Sequence, residues 1–326
     1  MSSLVKDKEL RIVYMGTPDF AVAGLKSLLA HDYKVVGVVT AADKPAGRGR
    51  KIQESAIKTY AKSKKLQILQ PTNLKDDGFL DQLQKLRANL FIVVAFRMLP
   101  KVVWQIPEHG TFNLHASLLP EYRGAAPINW AIINGEKETG VTTFFIDEKI
   151  DTGNIILQKK APIASDETAG SLHDRLMALG AETIVETVRQ IDNGSVSVTE
   201  QRHSKGLKKA PKIFRDTCAI DWHAPMENIH NLIRGLSPYP AAWSTLIQGS
   251  SQIHFKLFSA AKLPATHEHE IGKVIVKDKS LKVAVKNGYI ELLEIQLAGK
   301  RRTMVKDLLN GYRISEGAYV RSTQSQ

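Results

Sequence analysis

The first half of the chain alternates short apolar runs with amphipathic stretches of helix length, and this pattern restricts the folds open to it. The apolar runs predict strands at residues 11–15, 35–40, 90–95 and 111–115, and Pro18 opens a predicted helix after the first. Such runs are typical of a parallel sheet covered on both faces. The first domain is therefore predicted to be α/β and Rossmann-like, with a mostly parallel sheet. Ligands of such sheets bind beyond the C-terminal strand ends, here Gly16, Thr40, Ala95 and His115.

The second half has a different pattern, and 326 residues exceed what one compact core usually organises. A predicted helix at 169–190 precedes a stretch rich in Lys, Gly and Pro, so we predict a linker at 191–211 between domains 1–204 and 212–326. A helix at 226–235 is followed by short strand-like pieces at 242–247, 253–259, 273–276, 281–285 and 289–296. They predict a smaller C-terminal β-barrel of the OB type. Tyr239 and Trp243 are expected in its core.

Positive charge is concentrated in this second half. Residues 201–326 contain 20 Lys and Arg against 10 Asp and Glu, a net charge of +10, whereas the remaining residues contribute only +2 of the total +12. A neutral catalytic domain with a part that binds a polyanion would have this distribution. Charge alone fits a merely soluble basic surface equally well.

Several classes of protein are disfavoured by what the sequence lacks. No run approaches the roughly 18 apolar residues of a membrane helix, and the charged first ten residues do not resemble an export signal. The single cysteine, Cys218, excludes an internal disulfide framework and multi-cysteine zinc sites, and the histidines show no ligand spacing. The turn at Gly16 is not a nicotinamide fingerprint. We expect a cytoplasmic monomer that binds neither metal nor membrane.

Three polar residues are candidates for catalysis. Asn113 and His115 alternate on a predicted strand, so both side chains point to one face near the strand end. Asp151 begins a turn-forming Asp-Thr-Gly triplet. Taken singly, each is better explained as a core polar group or a turn former. Together they supply an amide, an imidazole and a carboxylate, provided that the fold brings them together.

The segments around these residues resemble the folate-dependent formyltransferases. The resemblance lies in NLHASLLPEYRGAAPINW at 113–130, ETGVTTFFID at 138–147 and DTGNI at 151–155. GTPDFA at 16–21 and DKPAGRGR at 43–50 are similar to those members of the family that act on initiator tRNA. The match extends over most of the chain.

The resemblance implies transfer of a formyl group from 10-formyltetrahydrofolate, the only cosubstrate implied, to the methionine amine of initiator methionyl-tRNA. Asn113 would donate a hydrogen bond to the oxyanion that forms when the amine attacks. His115 would bind this oxyanion or relay protons, and Asp151 would orient or charge His115. The proton route among His115, Asp151 and water is open. The implied folate-binding residues are Phe96, Arg97, Met98, Ser117, Leu118, Leu119, Pro120, Asp147 and Ile150. Phe96 stands where many bacterial members have a longer Ala-Tyr-Gly version of the segment.

The tRNA is expected to contact a glycine-flanked loop and the basic second half. By similarity, Arg48 and Arg50 reach the acceptor end of the tRNA, and the candidate phosphate contacts are Lys208, Lys209, Lys212, Lys300, Arg301 and Arg302. One alternative is a formyltransferase acting on an amino sugar nucleotide, and another is a tRNA-binding relative that has lost catalysis. The arginine loop and the basic second domain disfavour the first, and intact catalytic candidates disfavour the second.

Overall fold

The structure, a computed structural model, describes residues 9–46, 51–201 and 206–321. They form two compact units. The first contains the described residues up to Gly124 together with Gly140–Ala161 and His173–Lys208. The second contains Ala125–Thr139, Pro162–Leu172 and the described residues from Lys209 onward. The predicted domains are continuous stretches, whereas the second unit also takes two segments that lie within the predicted first domain.

The first 192 residues contribute the strands and helices of an α/β fold. In chain order they are β1 (Arg11–Gly16), α1 (Asp19–Ala30), β2 (Lys34–Val39), β3 (Lys44–Ala46), β4 (Lys51–Gln53), α2 (Ala56–Ser63), β5 (Ile68–Leu69), α3 (Asp77–Lys85), β6 (Leu90–Val94), α4 (Lys101–Trp104), β7 (Thr111–His115), β8 (Arg123–Gly124), α5 (Pro127–Ile133), β9 (Glu138–Phe145), β10 (Ile155–Pro162) and α6 (Ala169–Asp192). The four predicted apolar strands correspond to β1, β2, β6 and β7.

Seven of these strands form one sheet in the order β10-β9-β7-β6-β1-β2-β5. Strands β5, β2, β1, β6 and β7 run parallel to one another, and β9 runs antiparallel to β7. The chain builds outward from β1 through β2, then returns to place β6 on the other side of β1. Open sheets bind ligands at such a switch point. The predicted Rossmann-like, mostly parallel sheet is confirmed.

Tight packing fixes the position of β7 within this sheet. Helix α6 lies so close to β7 that a Cβ added at Gly180 would stand 2.7 Å from Leu114 Cδ2. On the neighbouring strand, the Thr143 and Thr187 hydroxyls are hydrogen-bonded at 2.8 Å, which joins β9 to the same helix. A larger side chain at position 180 would therefore displace the strand that carries Asn113 and His115.

The remaining elements follow α6. They are β11 (Lys209–Ala210), a 3-10 turn (Asp216–Cys218), α7 (Met226–Leu236), β12 (Ala242–Gln248), β13 (Ser251–Pro264), β14 (Val274–Lys277), β15 (Ser280–Val285), β16 (Gly288–Leu297), β17 (Thr303–Met304), α8 (Val305–Leu308) and β18 (Tyr319–Arg321). None of the helices in the described ranges has the length and apolar character needed to span a membrane.

The second unit is built on an antiparallel sheet that curls into a barrel. Its strand order is β14-β15-β16-β13-β12-β18, and β17 pairs with β16. An isolated bridge between Lys273 and Tyr319 joins the two ends of this order. The long β13 bends at register shifts between Leu257 and Ala260, as a strand must when it turns a barrel corner. The predicted small C-terminal barrel is confirmed.

Apolar side chains fill the barrel, and Trp222 is among those that are fully buried. Trp243 is partly buried against this core, as expected. Tyr239 is not in the core, because 81% of it is exposed. The expectation for Tyr239 was wrong because aromatic character alone does not distinguish a core residue from one presented to a ligand.

Candidate active site

Strand β7 presents Asn113 and His115 on one face at its C-terminal end. Asn113 is paired with Val93 on β6 and with Phe144 on β9, so it lies in the middle of the sheet. It is partly exposed, whereas His115 is buried. Among the described residues, no hydrogen bond engages the side-chain amide of Asn113. This amide is therefore available to a ligand at the strand end.

The imidazole of His115 lies between a backbone carbonyl and a carboxylate. Its Nε2 is 2.9 Å from the carbonyl oxygen of Tyr122, and since a carbonyl only accepts, Nε2 carries the proton. The other nitrogen, Nδ1, faces Asp151 Oδ2 at 3.9 Å. Only 8% of the His115 side chain and 13% of the Asp151 side chain are exposed, so water screens the pair weakly. In the neutral ring with Nε2 protonated, Nδ1 has a lone pair, and this nitrogen is the one that faces the carboxylate of Asp151.

Backbone conformation holds Asp151 in this position. Asp151 has a φ of 54°, which aspartate tolerates better than most side chains, and its Oδ2 accepts a hydrogen bond from Gly124 N at 3.0 Å. Two residues later, a Cβ added at Gly153 would lie 1.7 Å from the carbonyl oxygen of Phe145. The glycine of the Asp-Thr-Gly triplet is therefore required by packing as well as by turn formation.

Gln201 supports this turn, and the sequence analysis missed it. Its Nε2 donates to the carbonyl oxygens of Asp151 at 3.1 Å and Gly153 at 2.7 Å. Its Oε1 accepts from Arg123, at 2.6 Å from Nη2. Gln201 is buried although it belongs to a polar stretch that reads as linker. Its partners lie about 50 residues away or more, so local sequence carries no signal for it.

The predicted folate-binding loop after β7 is tied down from β9. The Thr142 hydroxyl donates to the Ser117 carbonyl at 2.6 Å and accepts from Leu119 N at 3.1 Å. Ser117 and Leu119 are buried by this arrangement, whereas Leu118 and Pro120 remain partly exposed. Leu118 and Pro120 are thus the two residues of this loop best placed to touch a ligand.

The other two predicted folate segments expose apolar side chains. Met98 is 74% exposed and Ile150 is 62% exposed. An ion pair joins the two segments, with Lys101 Nζ 2.5 Å from Glu148 Oε1, and the hydrogen bond from Lys101 holds the pKa of Glu148 below its ordinary value. Each of the two linked segments therefore presents one largely exposed apolar side chain.

The remaining residues of these segments are occupied within the protein. Arg97 donates to the carbonyl oxygen of Thr72 at 2.8 Å and stacks over the Phe96 ring at 5.6 Å. The Asp147 carboxylate accepts from the Thr152 hydroxyl at 2.7 Å. These contacts shape the two segments and leave the exposed apolar groups to meet a ligand.

The predicted tRNA loop connects β3 and β4, and Arg48 and Arg50 lie outside the described residues. The two strands pair antiparallel on either side of it. At the base of this hairpin, Asp43 accepts from Lys58 Nζ at 2.5 Å and from Gln70 Nε2 at 2.8 Å. The hydrogen bond from Lys58 is the main cause that lowers the pKa of Asp43. The hairpin therefore starts from an anchored base.

The predicted phosphate contacts differ in how they are engaged. Arg302 forms a two-point ion pair with Glu294, at 2.7 and 2.5 Å, and its guanidinium stands 4.2 Å over the Phe258 ring. The backbone of Lys208 accepts from Tyr122 N at 2.7 Å, which attaches this residue to the His115 loop. All six residues of the set are exposed, namely Lys208, Lys209, Lys212, Lys300, Arg301 and Arg302.

Among the described residues, no group of three or more His, Cys, Asp or Glu side chains is arranged to hold a metal.

The sequence of this chain is similar to known protein families along most of its length. The formyl transferase family model matches residues 10–188, and the model of the formyl transferase C-terminal domain matches residues 212–313. The methionyl-tRNA formyltransferase of Flavobacterium johnsoniae is 56% identical over 313 residues, which cover 96% of this chain and 99% of that protein. The chain belongs to the methionyl-tRNA formyltransferase family.

Further relatives of this family agree, and the methionyl-tRNA formyltransferase of Parabacteroides distasonis is 53% identical over 316 residues, 95% of this chain and 98% of that protein. The chain is therefore an enzyme of the formyltransferase type. Among solved structures, the Helicobacter canadensis N-formyltransferase in complex with folinic acid and dTDP-3-aminofucose has a TM-score of 0.65 at 20% identity, covering 90% of this chain and 100% of that one. HypX from Aquifex aeolicus in complex with tetrahydrofolic acid has a TM-score of 0.63 at 15% identity, covering 93% of this chain and 47% of that one. These two likenesses show the fold.

Proposed function

We propose that this protein transfers the formyl group of 10-formyltetrahydrofolate to the α-amino group of methionine on initiator tRNA, in the cytoplasm and without a metal. The observation that carries the proposal is the approach of Asp151 to within 3.9 Å of His115, on the face of β7 that also holds Asn113. It is supported by relatives more than 50% identical over nearly the whole chain that are methionyl-tRNA formyltransferases.

The three side chains match the demands of the reaction. A nitrogen–carbon bond to the amine forms and the carbon–nitrogen bond to the folate breaks, so one proton must move from the first nitrogen to the second. Asn113 donates a hydrogen bond to the formyl oxygen as negative charge develops on it. His115 accepts the proton at Nδ1, because Nε2 is engaged with the carbonyl of Tyr122. Asp151 stabilises the imidazolium until the proton passes on.

The exposed apolar groups of the first unit support a folate as the donor. A reduced folate supplies the formyl carbon and brings flat ring systems that need apolar cover. Met98 and Ile150 are largely exposed, and Leu118 and Pro120 are partly exposed beside Ser117. The segments that carry these side chains are held by internal contacts, as a site formed before binding requires.

The basic residues support a polyanionic acceptor. Lys209, Lys212, Lys300 and Arg301 are exposed, and residues 201–326 have a net charge of +10. Exposed lysine and arginine provide affinity for phosphates that falls with salt. Contacts from Arg48 and Arg50 remain part of the proposal.

A formyl-labelled folate tests the proposed function directly. Purified protein should transfer the label to methionyl-initiator tRNA and should leave amino sugar nucleotides unlabelled. Uncharged initiator tRNA is the control, because it lacks the methionine amine. Labelling of the sugar nucleotide without labelling of methionyl-tRNA would overturn the proposal.

A further inference from the structure

The barrel of the second unit contains an open pocket that the proposed chemistry does not use. Its volume is about 640 Å³, within the range that small-molecule sites occupy. The side chains that matter to its character are Phe214, Arg215, Tyr239, Trp243, His254 and Lys256. The pocket is thus lined by aromatic rings and cationic groups rather than by aliphatic side chains alone.

Two of these aromatic side chains are presented to solvent. Tyr239 is 81% exposed and Phe214 is 62% exposed. Exposed rings gathered at a pocket are typical of binding sites, because each leaves a large apolar face without cover. Trp243 is more firmly held, since its Nε1 donates to the Arg215 carbonyl at 2.9 Å.

Cations accompany the rings. The Arg215 guanidinium stands 5.4 Å over the Trp243 ring, and Lys212 Nζ stands 5.6 Å over the Phe214 ring. Lys256 Nζ donates to the carbonyl oxygen of Pro240 at 3.1 Å, which fixes its charge in the pocket wall. Among the pocket-lining residues there is no carboxylate. The pocket therefore favours a ligand that is both planar and negatively charged.

A nucleotide has both properties. Proteins bind unpaired bases by stacking them on aromatic rings or on the plane of an arginine, and they bind the attached phosphate through lysine and arginine. We propose that this pocket holds one unpaired nucleotide of the tRNA, with its base on the exposed rings and its phosphate near Lys212 and Lys256. The inference that the ligand is a nucleotide follows from the side chains of the pocket. The inference that this nucleotide belongs to tRNA rests on the proposed function.

The test measures binding of fluorescently labelled initiator tRNA to Tyr239→Ala. We expect the dissociation constant to rise about 5-fold or more, the effect of removing one base-stacking ring. Phe214→Ala should weaken binding in the same direction. The slope of log Kd against log salt should stay unchanged in both variants, because neither removes a charge. Lys256→Ala should lower that slope by about 0.7 to 0.9, the loss of one phosphate contact.

Two controls isolate the ring of Tyr239. Tyr239→Phe keeps the ring and should bind tRNA as the wild type does. Tyr319→Ala removes an exposed tyrosine from β18 of the same barrel, outside the pocket, and should also bind normally. Thermal melting of each variant checks that the barrel is folded. Unchanged affinity in folded Tyr239→Ala and Phe214→Ala, or an equal loss in Tyr319→Ala, would overturn the proposal.

The source of the nucleotide is settled by a second arm with free nucleoside monophosphates. Binding of monophosphates that depends on Tyr239, with tRNA binding insensitive to it, would overturn tRNA as the source. This binding test does not require turnover. Normal formylation with pocket-independent tRNA binding rejects the pocket alone, and pocket-dependent tRNA binding without formylation rejects the proposed function alone.

Discussion

The end of β7 and the pocket of the barrel use polar and aromatic groups in opposite ways. At β7, His115 is buried, Asp151 has only 13% of its side chain exposed, and each has a hydrogen bond to the backbone that fixes it. In the barrel, Tyr239 and Phe214 are exposed beside lysine and arginine. Proton transfer needs fixed groups in a place with little water, whereas RNA capture needs accessible area and charge. Substitutions at the first region should therefore change turnover, and those at the second should change affinity.

The largest expected effect is at His115. His115→Ala removes the proposed proton acceptor, and we expect kcat to fall by about 10² to 10⁴-fold, the usual contribution of a general acid–base group. The dissociation constants of folate and tRNA should stay close to those of the wild type. Single-turnover formylation together with tRNA anisotropy measures both. Near-normal turnover, or a loss that lies mainly in tRNA binding, would break the contrast between the two regions.

Asn113 provides a second test of the same region. Asn113→Ala removes the proposed hydrogen-bond donor to the oxyanion and should lower kcat by about 10² to 10³-fold without weakening folate binding. Pre-steady-state rates with saturating folate provide the measurement. If folate affinity fell while kcat held, Asn113 would be a binding residue instead.

Gln201 tests whether the turn of Asp151 must be held in place. Gln201→Leu leaves the carbonyls of Asp151 and Gly153 and the guanidinium of Arg123 without this partner. A misplacement of catalytic groups by about 1 Å can cost roughly 10²-fold, so we expect kcat to fall about 10- to 100-fold with little change in the KM for tRNA. Burying unsatisfied groups should also lower the free energy of unfolding by about 1 to 3 kcal/mol.

A matched control for this variant is Gln67→Leu, which changes an exposed glutamine of the same unit. It should leave kcat unchanged. Equal kcat in Gln201→Leu and the wild type, with only a lower melting temperature, would assign Gln201 a purely structural role.

The charges of the barrel should contribute unequally to affinity. Lys300→Ala should reduce the salt slope of tRNA binding by about 0.7 to 0.9. Arg302 is already neutralised by its two-point pair with Glu294. Arg302→Ala combined with Glu294→Gln should therefore leave the slope unchanged, whereas Arg302→Ala alone exposes a carboxylate that repels phosphate. If the slope of log Kd for tRNA against log salt fell by about one unit in the double variant, Arg302 would contact a phosphate.

The sequence predicts secondary structure correctly where the contacts that determine it are local. The apolar run at Thr111–His115 predicts β7 because every residue of it packs within the sheet, and the alternation of Asn113 and His115 follows from strand geometry. Strand β10 alternates buried and exposed positions only irregularly, and it was missed. Helix α5 has no counterpart among the predicted elements, since Pro127 and the small residues before it are typical of turns.

The features that residue patterns did not predict depend on contacts between distant segments. Gln201 acquires its role from partners in two other segments, and Tyr239 from the shape of a pocket assembled from several strands and loops. The choice between Nδ1 and Nε2 of His115 also depended on the position of the Tyr122 carbonyl, which no residue pattern shows. Patterns of residue type predicted the elements and the three candidate side chains. The hydrogen bonds that orient those side chains join distant segments, so they could be identified only from the three-dimensional structure.

The smallest expected effect concerns the base of the β3–β4 hairpin and depends on pH. The hydrogen bond from Lys58 lowers the pKa of Asp43 in the folded chain, so the unfolded chain takes up a proton at higher pH than the folded chain does. The stabilisation is fully present above the unfolded pKa of about 3.9 and is lost as the pH falls through the lower, folded value. Asp43→Asn should therefore lower the melting temperature near neutral pH, and the difference from the wild type should shrink below pH ~4.

Because Asp43 lies in the first unit but anchors the hairpin of the proposed tRNA loop, its variant should change the KM for tRNA and leave kcat intact. A change in kcat instead would extend the catalytic region to this hairpin and weaken the division between turnover and affinity.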